Sequence, residues 1–325
     1  MSGDFPTKVR INEEGPREGF QFEPGPIATA DKTALVDALS LTGLSQIQVC
    51  SFVNPARVPG MADAEAVVAG TRRAPGTAYT ALWLNEKGFD RARATGRLDL
   101  HGSLSMGASQ TFMKRNQNRD FTQNDALQAH MLARYKEAGL STTRASMMAA
   151  FGCNFEGDIP VATVLDRVAR TLEIAQEGGA EINTYSFADT MGWATPERIK
   201  AVVGAVRERW PSLTVALHLH DTRGMGIANA YAGLQMGVAI FDASIAGLGG
   251  CPFAGHKSAA GNVCTEDLAF LCAEMGIDTG LDLDGLSEAA RLAEWVVGHP
   301  LPGTVMKAGG LAAHRKASPR GAGPA

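Results

Sequence analysis

The stretch Val215-Ala216-Leu217-His218-Leu219-His220-Asp221 crowds two imidazoles and a carboxylate onto the end of an apolar run. As a β-strand it alternates its side chains between two faces, so His218 and His220 point the same way. Two neutral imidazoles so placed can grip one divalent metal ion. An H-x-H pair taken alone reads equally well as two solvated or internally satisfied histidines. The rest of the chain has to decide between these readings.

Outward from this strand, apolar β-prone runs recur at 8–11, 46–52, 78–84, 98–104, 142–149, 181–187, 214–220 and 240–245. Helical patterns fill the intervals. Asp31 is placed to cap a helix ending near Gly43, and Asn124 or Asp125 to open one that stops at Gly139. Thr195, with Pro196 at the first helical position, opens another that runs to Trp210 and is stopped by Pro211. Strand followed by helix, over and over, predicts an α/β chain closed into a parallel (β/α)8 TIM barrel over residues 1–315, in preference to an open doubly wound sheet. Two more helical patterns, at 265–275 and 287–297, are expected to cover the barrel wall or a partner subunit. The tail 316–325 has too little apolar surface to order itself and is expected to be disordered.

The 325 residues suit one such barrel. With 45% apolar and 20% charged residues and a net charge of -4, the composition is that of a soluble globular enzyme without a basic stripe for nucleic acid. Five cysteines, an odd number with no C-x-x-C pair, point to reduced thiols and a cytoplasmic location. The N-terminus carries no secretory or transit pattern, and no apolar run is long enough to span a membrane. A homo-oligomer, a dimer, is the expected assembly.

In such barrels the active site lies at the C-terminal strand ends. After the first strand comes Glu14-Gly15-Pro16-Arg17-Glu18-Gly19-Phe20-Gln21, read as a glycine-flanked turn that sets an arginine beside a carboxylate. After the sixth comes Asp189-Thr190-Met191-Gly192, and the seventh delivers His218, His220 and Asp221. The eighth ends in Ala246-Gly247-Leu248-Gly249-Gly250-Cys251-Pro252-Phe253, a glycine-rich stretch leading to Asn262 and read as a mobile lid with Cys251 its reactive group. Plainer readings exist: a surface ion pair for Arg17 and Glu18, an inert packed thiol for Cys251. The flanking glycines and the lid position favour the functional ones.

These residues resemble the HMG-CoA lyases of the DRE-TIM metallolyase superfamily along nearly the whole chain. The resemblance rests on 15–19, on Ser51-Phe52-Val53-Asn54-Pro55 with Val58-Pro59-Gly60-Met61, on Phe151-Gly152-Cys153, on 189–192 and on 218–222. Its most specific part is 244–253 followed by Gly261-Asn262. Condensing relatives such as isopropylmalate and homocitrate synthases are similar in the histidine strand but lack the cysteine lid. The resemblance implies a divalent cation, Mg²⁺ or Mn²⁺, held by Glu18, His218, His220 and Asn262. It further implies an acyl-CoA substrate, a 3-hydroxy-3-methylglutaryl thioester cleaved to acetyl-CoA and acetoacetate. Arg17 would stabilise the enolate, Cys251 would return the proton and the closing lid would exclude water. Gln48 occupies the second-strand position of a family glutamate, and Arg57, Thr190 and Arg223 are candidate substrate contacts.

Several positions depart from the family pattern. Glu18 stands where Asp is usual, Gln48 where Glu is, Ala56-Arg57 where Lys-Trp is, and Ala145-Ser146 where a tyrosine follows the Arg144 position. Arg223 stands where Tyr is frequent, and His256-Lys257 lengthens the lid. Two extra arginines and fewer aromatics suggest a more polar or anionic acyl group. The alternatives are therefore a sister lyase on another 3-hydroxyacyl-CoA such as citramalyl-CoA, a 2-keto acid aldolase, or a barrel that has lost catalysis. The last is opposed by the joint presence of Arg17, Glu18, His218, His220, Cys251 and Asn262, which fold stability does not require.

Overall fold

In a computed structural model, residues 5–250, 261–312 and 315 are described. Eight parallel strands run Arg10–Glu13 (β1), Gln46–Ser51 (β2), Ala78–Leu82 (β3), Gly102–Gly107 (β4), Thr142–Met148 (β5), Thr184–Ala188 (β6), Thr214–His218 (β7) and Ile240–Ala243 (β8). Their order around the sheet is β3-β2-β1-β8-β7-β6-β5-β4, so the first strand pairs with the last. Among the described residues no ladder joins β3 to β4. Asp99 bridges that seam: its N–H donates to the Tyr79 carbonyl at 2.8 Å and its carboxylate accepts from the Tyr79 N–H at 2.7 Å. The sheet thereby curls into the expected (β/α)8 barrel. A short antiparallel pair, Gly152–Cys153 with Gly157–Asp158, follows β5 and is absent from the sequence reading.

The helices are Gly15–Phe22 (α1), Thr29–Leu39 (α2), Ala64–Gly70 (α3), Glu86–Ala94 (α4), Gln110–Gln117 (α5), Phe121–Glu137 (α6), Val161–Glu177 (α7), Pro196–Arg209 (α8), Gly226–Gln235 (α9), Thr265–Glu274 (α10), Leu283–Val297 (α11) and Val305–Ala308 (α12). Thr195 caps α8 as expected, accepting from the Arg198 N–H, with proline in the first turn. The cap of α6 is Asp120, in a capping box with Gln123, and not Asn124 or Asp125. Those two side chains are committed elsewhere: Asn124 donates to the Ser105 carbonyl at 3.0 Å, and Asp125 receives Arg167 at 2.5 Å. Similarly, α2 starts at Thr29, leaving Asp31 in its first turn, and α11 starts at Leu283 under an Asp282 cap.

Period-2 alternation explains where the core lies. Ile11, Phe241, Leu217 and Phe187 sit in register on neighbouring strands and are fully buried against the helices. Each contributes about 1.5–3 kcal/mol by leaving water. The alternate positions Asn12, Ser186, His218 and Asp242 face inward, and there Asn12 donates to Asp242 at 2.8 Å. The barrel axis is therefore polar, and the hydrophobic core forms a sleeve around it.

Two buried carboxylates on the sleeve side fix the turn after β8. Glu13 accepts from the Gly15 N–H at 2.7 Å, the Ile245 N–H at 2.9 Å and the Thr265 hydroxyl at 2.6 Å. Glu266, wholly buried, accepts from the Ala246 N–H at 3.0 Å, and burial pushes its carboxyl up to about 8. Burial likewise takes Glu13 to about 7. A carboxyl raised in the folded state above its ordinary 4.5 lends stability that is complete below that value and lost as pH rises through about 8. Thermal melts should therefore show the parent losing stability between about pH 4.5 and 8. Glu266→Gln should flatten that slope by up to about 1.4 kcal/mol per pH unit. Equal slopes in the two proteins would mean that Glu266 is ionised throughout.

Candidate active site

The 14–21 stretch is a helix start, not the expected turn, and this correction explains how the site forms. Glu14 precedes α1 directly, so Glu14, Arg17 and Glu18 fall at i, i+3 and i+4 and converge on one helix face over the end of β1. Gly15 is required there, since a Cβ would stand 2.6 Å from the Glu13 carboxylate. Glu14 and Glu18 are buried, at 5% and 6% exposed, and Arg17 is mostly covered, its side chain 12% exposed.

Arg17 is held from three sides. Its Nε donates to Gln48 Oε1 on β2, one Nη donates to Glu14 Oε2, and the other lies 3.2 Å from Glu18 Oε2. A guanidinium has five N–H groups, so these three contacts leave two of them for a ligand. Glu18 in turn faces both histidines, its Oε2 3.4 Å from His218 Nε2 and its Oε1 3.4 Å from His220 Nε2. One ligand atom from each of these three residues lies within 4.8 Å of the others, the one such cluster among the described residues.

Asn262 joins them through backbone pairing. The Val263 N–H donates to the Leu219 carbonyl at 2.9 Å and the Asp221 N–H to the Gly261 carbonyl at 2.7 Å, which sets Asn262 against His220. Its amide and the Glu18 side chain approach each other at Gly249, where an added Cβ would lie 3.1 Å from Asn262 Nδ2 and 3.3 Å from Glu18 Cγ.

The fit to a metal ion rests on what these atoms lack. Glu18 Oε2, both ring nitrogens of His220 and both amide atoms of Asn262 are buried without a hydrogen-bond partner. An unsatisfied buried polar atom costs about 1–3 kcal/mol, so a convergent set of them calls for a ligand. Separations of 3.4 Å also suit neighbouring positions around one ion, which at octahedral bond lengths lie about 3 Å apart.

Behind the histidines stands Asp242, whose Oδ2 is 3.5 Å from His218 Nδ1 and 3.3 Å from the Ser186 hydroxyl. A carboxylate behind a ligating imidazole fixes the ring and directs its other nitrogen forward. The charges respond to this packing. Burial works against ionisation of Glu18, but Arg17 and His218 outweigh it and hold the carboxyl well below its usual range. Burial also opposes the charge on His218, yet Glu18 and Asp242 raise it well above an ordinary imidazole. Asp242, despite burial, is lowered to about 2, chiefly by His218. Burial raises Glu14 in spite of Arg17.

Arg17, Glu18, Gln48, His218, His220 and Asn262 thus come together. Cys251 lies outside the described residues, as do His256 and Lys257. Thr190 accepts from the Ala149 N–H at 2.9 Å, and Arg223 donates to the Met191 and Gly192 carbonyls at 2.8 Å each. Arg57 is exposed in the loop after β2. Asp221 binds the Gly226 N–H at 2.6 Å and so starts α9. Glu14 and Asp242 were not singled out in the sequence. Asp242 could have been found as the lone acid at an inward position of the apolar strand Ile240-Phe241-Asp242-Ala243, and Glu14 only once the helix was recognised.

The family model described as HMGL-like matches residues 8–293. The chain is 40% identical over 298 residues to a hydroxymethylglutaryl-CoA lyase, YngG, of Bacillus subtilis, covering 92% of this chain and 96% of the relative. It is also 40% identical over 292 residues to a Pseudomonas aeruginosa protein named 3-hydroxy-3-isohexenylglutaryl-CoA/hydroxy-methylglutaryl-CoA lyase, covering 89% and 92%. Among solved structures, an HMG-CoA lyase from Acinetobacter baumannii in complex with coenzyme A and 3-methylmalate superposes with a TM-score of 0.84 at 34% identity, covering 95% of this chain and 97% of that one.

If the orphaned donors form one metal site, His220→Ala should fold normally yet retain little divalent cation after gel filtration. Elemental analysis reads this directly, and metal content equal to the parent's would remove His220 from the site.

Proposed function

This chain belongs to the HMGL-like family, and from that premise we propose that it is a metal-dependent carbon–carbon lyase of the HMG-CoA lyase type, acting on a 3-hydroxy-3-methylglutaryl-CoA-type thioester. The observation that carries the reading is the docked Arg17 guanidinium beside the unsatisfied donors of Glu18, His220 and Asn262. Glu18, His218, His220 and Asn262 would hold the cation. A carboxylate and an amide oxygen suit Mg²⁺, and two imidazoles shift the preference toward Mn²⁺. When bound, the cation supplies Lewis-acid polarisation of substrate oxygens.

The reaction sets three demands on the chain itself. The tertiary hydroxyl loses its proton as its carbon becomes the ketone of acetoacetate. The electron pair of the broken C–C bond passes to the thioester as an enolate, and that enolate takes up a proton to become acetyl-CoA. The free N–H groups of Arg17 are fixed before reaction and so stabilise the enolate oxygen without reorganisation. Gln48 cannot exchange a proton at neutral pH, so its part is to accept from Arg17 Nε and hold the plane of the guanidinium. We assign the returning proton to Cys251.

The coenzyme A bound to the Acinetobacter neighbour supports a CoA thioester as substrate here. Arg57, on the loop following β2 at the same end of the barrel, is the proposed contact for an anionic part of it. Thr190 and Arg223 act one step back, tying down the loops after β5 and β6 that wall the site. For the assembly we propose a dimer, with Trp295 on α11, 69% exposed, among the side chains it would cover. The four buried, unpaired cysteines among the described residues support a reducing compartment such as the cytoplasm.

The test is a panel of 3-hydroxyacyl-CoA thioesters and 2-keto acids assayed with Mg²⁺ and Mn²⁺. Acetyl-CoA release from 3-hydroxy-3-methylglutaryl-CoA is the expected result. Turnover confined to a 2-keto acid would replace lyase by aldolase, and silence across the panel would sink the catalytic reading.

Arg17→Lys should lower kcat by roughly 10²-fold or more with a smaller change in KM, since a lysine presents one point charge in place of a fixed fork. A variant that loses affinity while keeping kcat would reassign Arg17 to substrate binding.

A further inference from the structure

The guanidinium of Arg17 has two hydrogen-bond acceptors of different kinds on two of its edges: neutral Gln48 on Nε and charged Glu14 on Nη2. Glu14 is 5% exposed and occupies the inward position two residues beyond Asn12, where the charges of Asp242, His218 and Glu18 also reach it. A carboxylate so buried costs more than it returns unless its charge serves a neighbour. The charge balance of the mouth shows that service. Glu14, Glu18 and Asp242 place three carboxyl groups within electrostatic reach of Arg17. Gln48, on the neighbouring strand β2, contributes none.

We propose that Glu14 is a positioning residue of the lyase site, supplying the carboxylate partner that Gln48 cannot be, so that Arg17 keeps one orientation and the cation meets a matched charge. This rests on the lyase reading above. Two acceptors of unlike charge touching one guanidinium also predict that their roles can be exchanged: a carboxylate at position 48 should serve when position 14 is neutral. A purely architectural role for Glu14 predicts no such rescue, because the two side chains come from different elements.

The experiment compares the parent, Glu14→Gln, Gln48→Glu and the double variant Glu14→Gln/Gln48→Glu. Glu14→Gln is nearly isosteric and should melt close to the parent. Its kcat should fall by roughly 10²-fold with KM within a few-fold, and Mn²⁺ affinity, measured by calorimetry, should weaken about tenfold. The double variant should recover both to within about tenfold of the parent. Gln48→Glu alone adds a fourth carboxyl group and should tighten Mn²⁺ binding without raising kcat.

A parental kcat or Mn²⁺ affinity in Glu14→Gln would overturn the proposal. So would a double variant no better than the single one. Should the parent cleave no acyl-CoA at all, the lyase reading fails separately, and Mn²⁺ affinity across the four proteins still decides the role of Glu14.

Discussion

Three carboxylates, Glu14, Glu18 and Asp242, share one buried barrel mouth, and their folding there depends on the positive charge arranged among them. An isolated carboxylate in such surroundings would stay protonated. Glu18 and Asp242 are instead held ionised, because Arg17 stands against the first and His218 against both. Removing the positive charge of Arg17 from such a set is destabilising by several kcal/mol, since it strands the carboxylates away from water. The remainder of the fold serves to keep this set together. The sleeve of Ile11, Phe241, Leu217 and Phe187 fixes the strands, and Glu13, from the outer side of β1, ties α1 to the turn after β8.

The features legible in the sequence are those governed by short-range periodicity. A polar barrel axis and an apolar sleeve make every strand alternate, so eight strands and the parallel barrel could be read from pattern alone, with boundaries off by a few residues. The strand expected at 98–104 forms at Gly102–Gly107 because Asp99 leaves the ladder to bridge the seam with β3. Of the candidate metal site, His218 and His220 were legible from their spacing on one strand face, while Glu18 and Asn262 could be named only through the family resemblance.

Choices that tertiary contacts decide were not legible. Asn124 and Asp125 are good caps by residue type, yet each has a stronger partner across the α6 interface, and Asp120 takes the role. The stretch around Gly15-Pro16 has the composition of a turn, but proline fits the first turn of a helix and Glu13 needs glycine beside it. Reading it as a turn hides the i, i+3, i+4 spacing, and with it the link between Glu14 and Arg17.

That helix start also settles how the far end of the chain is recruited. Asn262 is remote in sequence from Glu18, yet a Cβ on Gly261 would fall 2.3 Å from the Gly249 backbone, so the chain leaves the site at Gly249 and re-enters it at Gly261 through touching backbones. Gly249 itself has φ of 115°, which only glycine adopts readily, and it lies against both Glu18 and Asn262. Gly249 and Gly261 therefore meet beside Glu18 and Asn262, close to α1. A buried amide with both atoms unsatisfied is a poor structural residue, and the position of Asn262 is economical where a ligand would take up those atoms.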